Sequence, residues 1–469
     1  MTLIASLIVD KTASDTLCWE MKKNNSVSLF ELLLQCLESS DEELKTAALL
    51  LLTQLSQSIS HKERSKRDSY VEFIDNLKLP LNETPNNKLS AGDRTHNDCQ
   101  PEYIVEDLCR ILIELYKELS SSKKYLESEE EAWCSVSACI SSLLALSPRC
   151  RLYAVHRHFP QILLNTLQAV RDKLSLHGKP ADVIRNANHE PILRNLYWIL
   201  TIINTTMLDC LPAKESFADE NIAVSLNKLW PWCMMTEQLR EALVKLLLTF
   251  TNECPKAWSC MCVCVSGRSM ALEVCAIVTR DASRLTTGPL LPLALRLLTN
   301  CASHQHCRAI ILKSEVVMCV SRLRARSNPA TLAYSAWMRL AERLARHADG
   351  AAALLAAVSS PGLRPVPRRL LPAIAHAAHY HRSTFLQSPD ILELLCGSLL
   401  TGETGEVVCA ARAVWALAAN NHRAKLVLRS AGVTAAVHST LHRLQKSKDP
   451  SVHKALELLT YTHNILQTT

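Results

Sequence analysis

The second half of the sequence repeats itself, and this repetition restricts the possible folds more than any other feature. The segments ASHQHCRAIILKSEVV (302–317) and AANNHRAKLVLRSAGV (418–433) share one pattern: a polar turn, a basic residue, an apolar triplet, then a basic residue followed by serine. A second series is formed by Asn204, Asn252 and Asn300, which close apolar segments and lie 48 residues apart. Related apolar segments between these copies indicate a mean period of about 41 residues, as in armadillo and HEAT repeats.

A helical repeat of this length cannot bury its apolar face alone, so neighbouring copies must stack and share a continuous core. In each copy a short helix after a polar turn precedes a longer apolar helix, which favours the armadillo type. The composition agrees, since 48% of the residues are hydrophobic, glycine occurs only 10 times and aromatic residues make up 5%. Few glycines and aromatics disfavour a sheet protein. We therefore predict an all-α protein, a right-handed α-solenoid of the armadillo/HEAT type.

Interruptions of the helical pattern suggest how the chain is organised. Residues 1–59 are predicted to form a helical hairpin that starts the repeat array. Residues 60–103 are dense in charge, asparagine and proline, which predicts a disordered or long-loop insertion. Armadillo-like repeats are predicted for 104–171, a loop for 172–191, and further armadillo-like repeats for 192–469.

Four cysteines lie close together in one segment and form the first candidate metal site. The segment is CPKAWSCMCVCVSG, with Cys254, Cys260, Cys262 and Cys264. On the repeat pattern, Cys264 falls at the position of Leu312 and Leu428, which predicts a short helix packed into the core. In a regular helix Cys262 faces away from Cys260 and Cys264, so the three thiols would not meet at one tetrahedral ion. We interpret this cluster as core packing, because reduced cysteine behaves as a small buried hydrophobe.

A second cluster also offers zinc-ligand residue types. The segment is CASHQHC, with Cys301, His304, His306 and Cys307. It fills the turn between two predicted helices, and four ligands in so short a segment would need a tightly coiled loop. We interpret it as an inter-helix turn, and we predict no metal ligand and no cofactor.

The sequence offers no catalytic motif. No phosphate-binding loop, zinc-protease motif or nucleophile elbow occurs in it, so we predict no catalytic residue and a protein that is not an enzyme. The 19 cysteines are spread along the chain and are expected to be reduced thiols in the cytoplasm. The first residues carry no basic leader, and no apolar run of about 18 residues occurs, so we expect neither a signal peptide nor membrane insertion.

The C-terminal third is basic and carries a candidate binding stripe. Residues 301–469 hold 20 arginines and lysines against 9 acidic residues, a balance of +11. Arg339, Arg343 and Arg346 are spaced i, i+4, i+7 on one predicted helix, so they form one stripe. This stripe is a candidate partner-binding site for an acidic protein segment. The alternative is a solvated helix face, because charge runs often serve only to keep a surface in water.

Asparagine and tryptophan supply further candidate partner-binding residues. Armadillo proteins of the nuclear-import type line their groove with a repeated tryptophan and asparagine ladder. Asn204, Asn252 and Asn300 form part of such a ladder, and Trp415 precedes Asn420 by five residues. The tryptophan expected four residues before each of the first three asparagines is absent, so these residues could instead cap helix ends. No nucleic-acid reader module is recognisable, and we expect no nucleic-acid partner.

Several segments resemble a known family. They are AVWALAANNHRAKLVLRSAGVTAAVHSTL (413–441), LELLTYTHNILQ (456–467), LCWEM (17–21) and LLTNCASHQHCRAIILKS (297–314). Together they resemble the C-terminal portion of the rotatin family, which comprises very large armadillo-like proteins and the insect anastral-spindle centriolar counterpart. The chain is much shorter than a full family member, so the resemblance implies a C-terminal portion.

The resemblance implies a non-enzymatic scaffold that acts through protein–protein binding in centriole and basal-body assembly and in cilium formation. It implies location in the cytoplasm at the centrosome, the centriole and the ciliary basal body, with centriolar or ciliary proteins as partners. The residues alone leave a second reading open, a general cytosolic or nuclear armadillo adaptor that binds acidic peptide cargo.

Overall fold

A computed structural model describes most of the chain beyond residue 100. The described residues are 101–121, 130–176, 190–284, 289–321, 332–359, 366–446 and 452–467, with a few single residues before and between them. They form helices, apart from turns and one pair of two-residue strands. Within these ranges, no helix is both long and apolar enough to cross a lipid bilayer.

The first compact unit ends at Phe250. Its helices are α1 (Pro101–Ser121), α2 (Glu130–Leu146), α3 (Pro148–His156), α4 (Phe159–Leu176), α5 (Glu190–Met207), α6 (Leu211–Asp219), α7 (Ile222–Cys233) and α8 (Glu237–Thr251), whose last residue starts the second unit. They follow a cycle of a short first helix, a second helix and a third helix. Equivalent helices of successive cycles pack together: α3 on α6, α4 on α7, and α2 on α5.

The second compact unit begins at Thr251. Its elements are α9 (Pro255–Cys260), β1 (Cys264–Val265), β2 (Arg268–Ser269), α10 (Met270–Arg284), α11 (Leu290–Cys301), α12 (Gln305–Lys313), α13 (Val316–Ser321), α14 (Leu332–Ala345), α15 (Ala348–Val358), α16 (Leu371–Ala377), α17 (Arg382–Leu386), α18 (Pro389–Thr401), α19 (Thr404–Ala418), α20 (His422–Ser430), α21 (Val433–Gln445) and α22 (His453–Gln467). A 3₁₀ turn, Arg368–Leu370, precedes α16.

The same three-helix cycle organises this unit. The first helices α9, α12 and α15 stack in order, and the third helices α11, α14, α16, α19 and α22 form a continuous row. Second helices also pack in pairs, α10 on α13 and α18 on α21. Each unit is therefore a stack of helical repeats, and the predicted all-α solenoid class is confirmed.

The first helices share a small residue at their third position, except the five-residue α17, whose third residue is the exposed Thr384. It is Cys150 in α3, Ala213 in α6, Ala257 in α9, Cys307 in α12, Gly350 in α15 and Ala424 in α20, and all are buried. The residue one turn later is buried as well. It is Ala154, Phe217, Met261, Ile311, Leu354 and Leu428 in the same order. These two positions define the inward face of these helices.

This inward face corrects the alignment made from the sequence. The helices α12 and α20 begin at Gln305 and His422, so equivalent residues lie 117 apart, one more than the ungapped alignment suggested. Ile311, not Leu312, therefore corresponds to Leu428. The prediction that Cys264 occupies this position is wrong, because α9 ends at Cys260 and Cys264 lies exposed in β1.

Left-handed backbone turns reverse the chain between helices. After third helices the residues with positive φ are Asp209, Glu253 and Asn420, and after first helices they are His158, Asn221, Glu315 and Gly432. Asparagine and glycine adopt this conformation most readily. Asn420, with φ of 53°, is thus the turn residue between α19 and α20.

The predicted domain ranges are covered unevenly. The hairpin expected in 1–59 and the insertion expected in 60–103 fall almost entirely outside the described residues, although α1 starts at Pro101. Near the loop expected for 172–191, α4 continues to Leu176 and α5 begins at Glu190. The division of the chain into those five ranges stays a prediction.

One ion pair joins successive first helices. The Nε atom of Arg308 in α12 donates to both carboxylate oxygens of Asp349 in α15, at 3.0 and 2.9 Å. Its Nη1 donates to the carbonyl oxygen of Ala302 at 3.2 Å, and Arg308 is buried. Burial alone would raise the pKa of Asp349, but the hydrogen bonds from Arg308 and the Gly350 amide and the charge of Arg308 outweigh it, so the pKa lies below its usual value.

Asp349→Asn should lower the free energy of unfolding at pH 7 by about 1–2 kcal/mol, because a buried guanidinium loses its carboxylate partner. The depressed pKa of Asp349 makes this contribution fully present above the unfolded-state pKa of about 3.9 and lost as the pH falls through the folded-state value. Denaturant unfolding of the wild type and the variant, at pH 7 and in acid, measures the difference in the free energy of unfolding. Glu457→Gln, which alters an exposed carboxylate on α22, is the control; an equal loss in both variants would contradict the assignment.

Gly350→Ala should destabilise the fold by about 1–3 kcal/mol, because the added Cβ would collide with the backbone of Leu344 at the end of α14. The matched control is Gly405→Ala near the start of α19, where nothing lies within 4 Å of the new Cβ. That change should be neutral or stabilising by about 0.4–1 kcal/mol. Denaturant unfolding followed by circular dichroism compares them, and a stable Gly350→Ala variant would refute the close approach of α14 and α15.

Candidate partner-binding groove

The row of third helices in the second unit carries a cleft with exposed aromatic side chains, here called the aromatic cleft. It has a volume of about 590 Å³ and runs from the end of α14 across α16 and α19 to α22. Its lining includes Arg346, His376, Tyr380, Arg412, Trp415 and Tyr461. Trp415 is 43% exposed and Tyr461 is 61% exposed, which is high for large aromatic residues on otherwise apolar helices.

A second cleft on the same unit is lined by three arginines and two asparagines together with Glu253 and Glu342, and is here called the arginine cleft. It has a volume of about 400 Å³. Its lining includes Asn252, Trp258, Asn300, Arg339, Arg343 and Arg346. Because Arg346 lines both clefts, they adjoin at this residue and together form one groove along the third helices.

Most of the candidate residues from the sequence meet in this groove. Arg339, Arg343 and Arg346 do form one stripe, since all three line the arginine cleft. Asn252 and Asn300 line the same cleft, where Asn300 Nδ2 donates to Thr251 Oγ1 at 3.3 Å. Trp415 lines the aromatic cleft. Their role in binding a partner stays a prediction.

Two candidate residues lie elsewhere. Asn204 belongs to α5 of the first unit, where its side-chain oxygen is buried without a hydrogen-bond partner. Asn420 is the exposed turn residue between α19 and α20 and is not among the residues that line either cleft. Its asparagine is explained by backbone conformation, since a left-handed turn favours this side chain.

The groove is positively charged at neutral pH through its arginines. Glu342 accepts a hydrogen bond from Arg346 Nη2 at 2.9 Å and lies 3.9 Å from His376 Nε2. Burial lowers the pKa of His376, and the charges of Arg346 and Arg412 lower it further against the opposing effect of Glu342. His376 is therefore neutral at pH 7, and arginine supplies the fixed charge because its guanidinium stays protonated.

The groove also contains residues that were not predicted from the sequence, among them Arg412, Tyr380 and Tyr461. Arg412 and Trp415 share one face of α19, three residues apart, and a search for exposed aromatic residues three or four positions from arginine could have found them. Tyr380 follows α16, and its hydroxyl donates to the Arg346 carbonyl oxygen at 2.9 Å. Tyr461 had no such signal, because its exposure depends on how α22 packs against α19.

The structure also rearranges the two cysteine clusters. Cys254 is the buried N-cap residue of α9, Cys260 ends that helix, and Cys262 lies in the turn before β1. His304 is the N-cap residue of α12, and Cys307 is its third residue. Cys262 thereby lies against His304 and Cys307, so one residue of the first cluster meets two of the second.

No known protein-family profile matches the chain. It is 22% identical to human rotatin over 408 residues, which cover 78% of this chain and 18% of that protein. It is 19% identical to mouse rotatin over 318 residues, which cover 62% of this chain and 14% of that protein. The chain thus spans less than a fifth of the length of either relative.

Among solved structures, an engineered protein matches with a TM-score of 0.61 and 14% sequence identity, covering 99% of this chain and 94% of its own. At this identity the match supports the helical fold alone. The rotatin matches extend well beyond the segments that first suggested the resemblance. The chain is a distant relative of rotatin.

Proposed function

We propose that this chain is a non-enzymatic scaffold of the centriole and the ciliary basal body, which holds acidic segments of partner proteins along its groove. The observation that carries the binding role is the groove itself, in which arginines and exposed aromatic residues from successive third helices lie side by side. The centriolar and ciliary setting is inferred from the relationship to rotatin.

An acidic peptide fits this groove chemically. Arginine presents planar pairs of N–H donors that match a carboxylate, and such charge-assisted hydrogen bonds are stronger than neutral ones. Arg339, Arg343 and Arg412 offer these donors, while Arg346 is already paired with Glu342. A partner carboxylate at Arg346 would therefore have to compete with Glu342.

Aromatic residues in the groove would supply contact area for apolar side chains of the same peptide. Tryptophan and tyrosine are enriched among residues that dominate binding energy, because they bury large surfaces at a low cost in side-chain entropy. Trp415 and Tyr461 are already exposed, so a ligand can reach them without opening the core. The groove thus combines a charged part with an apolar part, which favours a peptide that alternates acidic and aromatic or aliphatic residues.

Reversing two charges in the arginine cleft should weaken binding of such a peptide. For Arg339→Glu with Arg343→Glu we expect a loss of about 30- to 900-fold, since each of the two lost charged contacts is worth on the order of 1–2 kcal/mol. A fluorescein-labelled peptide of alternating glutamate and leucine measures it by anisotropy. The control, Arg423→Glu with Lys446→Glu, makes the same charge change at exposed residues outside the groove. Equal losses in both pairs would reject the site.

Trp415→Ala should weaken the same peptide by about 5- to 30-fold, consistent with the 1–2 kcal/mol of a moderate interface hot spot. Because Trp415 is 43% exposed, its truncation also removes some packing, so circular dichroism must show that the variant is folded at the assay temperature. The matched control is Leu426→Ala, which truncates a side chain on α20 that is 50% exposed and lies outside both clefts. Unaltered affinity of the tryptophan variant would remove the aromatic cleft from the site.

The cellular role needs its own test. The tagged chain, expressed in dividing cells, should concentrate at centrosomes, and Arg339→Glu with Arg343→Glu should reduce that enrichment. Peptide binding in solution together with a diffuse signal in cells would reject the centriolar role and favour a general adaptor for acidic peptide cargo.

A further inference from the structure

Three metal-binding side chains converge between the first helices α9 and α12. They lie beside Trp258 of the arginine cleft, whose carbonyl oxygen accepts a hydrogen bond from Cys307 Sγ at 3.2 Å. The Sγ atom of Cys262 lies 3.0 Å from the Sγ atom of Cys307 and 3.9 Å from Nδ1 of His304. The three ligand atoms all lie within 4.8 Å of one another. These residues are here called the thiol–imidazole cluster.

The fold holds this cluster in place from both sides. The early end of α9 puts Cys262 in a turn, and the turn is fixed by the β1–β2 hairpin and by a hydrogen bond from the Ala271 amide to the Met261 carbonyl oxygen at 3.0 Å. On the other side, His304 caps α12, and the short spacing to Cys307 puts both side chains at the start of one helix. Packing of α9 against α12 then brings the two sides together.

We propose that the thiol–imidazole cluster binds one zinc ion through Cys262 Sγ, His304 Nδ1 and Cys307 Sγ. Thiolate and imidazole are the preferred zinc ligands in proteins. Ligand atoms about 2.0–2.3 Å from a tetrahedral zinc lie roughly 3.5–3.8 Å from one another. The Cys262–His304 distance of 3.9 Å is slightly longer than this range, and the two sulfur atoms, 3.0 Å apart, would have to separate by less than about 1 Å.

Neighbouring groups suit this assignment. Ser259 Oγ lies 3.4 Å from Nε2 of His304 and can accept a hydrogen bond from Nε2–H, a tautomer that leaves Nδ1 free to bind the ion. Cys262 and His304 are partly exposed while Cys307 is buried, so an ion can enter from solvent and meet a shielded thiolate. The nearby charge of Arg308 is offset by its ion pair with Asp349.

Three protein ligands leave one position of the ion for water or for a ligand from outside the cluster. Bound zinc would also tie the turn after α9 to α12, and so join two successive repeats. Because the ion binds the folded chain, its binding free energy would add to the stability of the fold. The site is therefore a cross-link between repeats whose strength depends on the supply of zinc.

Elemental analysis of the full chain tests the proposal, after purification with reductant and removal of weakly bound metal. We expect about one zinc per chain, retained in Cys264→Ser, a control that alters an exposed neighbouring cysteine. Cys307→Ala should lose the ion without unfolding, because alanine occupies the same position in α6, α9 and α20. Cys262→Ser, in the turn, provides a second variant that should lose it.

Cobalt titration gives an independent readout. Tetrahedral thiolate coordination predicts a sulfur-to-cobalt charge-transfer band that saturates at one equivalent in the wild-type and Cys264→Ser chains and is absent in Cys262→Ser and Cys307→Ala. Substoichiometric zinc, or equal zinc and cobalt binding in all variants, would overturn the proposal. A Cys262–Cys307 disulfide in the reduced preparation would also overturn it.

Discussion

Stacking of repeats is the constraint on which the rest of this structure depends. No single cycle of three helices can bury its apolar faces, so first, second and third helices pack against counterparts in neighbouring cycles, as α12 does on α15, α10 on α13 and α11 on α14. Close approach is possible only where side chains are small, which explains the buried Cys150, Ala213, Ala257, Gly350 and Ala424 at one position of the first helices. The Arg308–Asp349 pair then adds a charged contact between two of these stacked helices.

The groove follows from the same stacking. A third helix of the second unit contacts the third helices before and after it, and exposed side chains such as Trp415 and Tyr461 lie along this row. Side chains along this row are less constrained by core packing than fully buried ones, so arginine, asparagine and tryptophan can occupy these positions. Their repetition from helix to helix turns a row of separate exposed side chains into a continuous surface suited to an extended partner.

The sequence pattern was enough to predict the solenoid class, and most of the candidate binding residues that it supplied lie in the groove. The i, i+4, i+7 spacing of Arg339, Arg343 and Arg346 holds because their helix is regular. The errors arise where regular helix stops. The alignment slipped by one residue at α12 and α20, and Cys264 was placed in a helix that ends at Cys260. A short hairpin, closed by Ser266 and Gly267 with positive φ, takes over from the helix there. Tyr461 could not be found, because exposure on α22 depends on its neighbours.

The sequence pattern alone did not predict that Cys262, His304 and Cys307 would lie together. Each cluster, considered alone, offers ligands that point apart along a helix or crowd one turn, and neither can surround an ion. Stacking of successive repeats brings Cys262 of the first cluster against two residues of the second. These are the imidazole of His304, 42 residues further along the chain, and the thiol of Cys307, 45 residues further. In a solenoid, residues about one repeat apart become neighbours, so metal ligands should be sought at the repeat spacing as well as at the short spacing of a zinc finger.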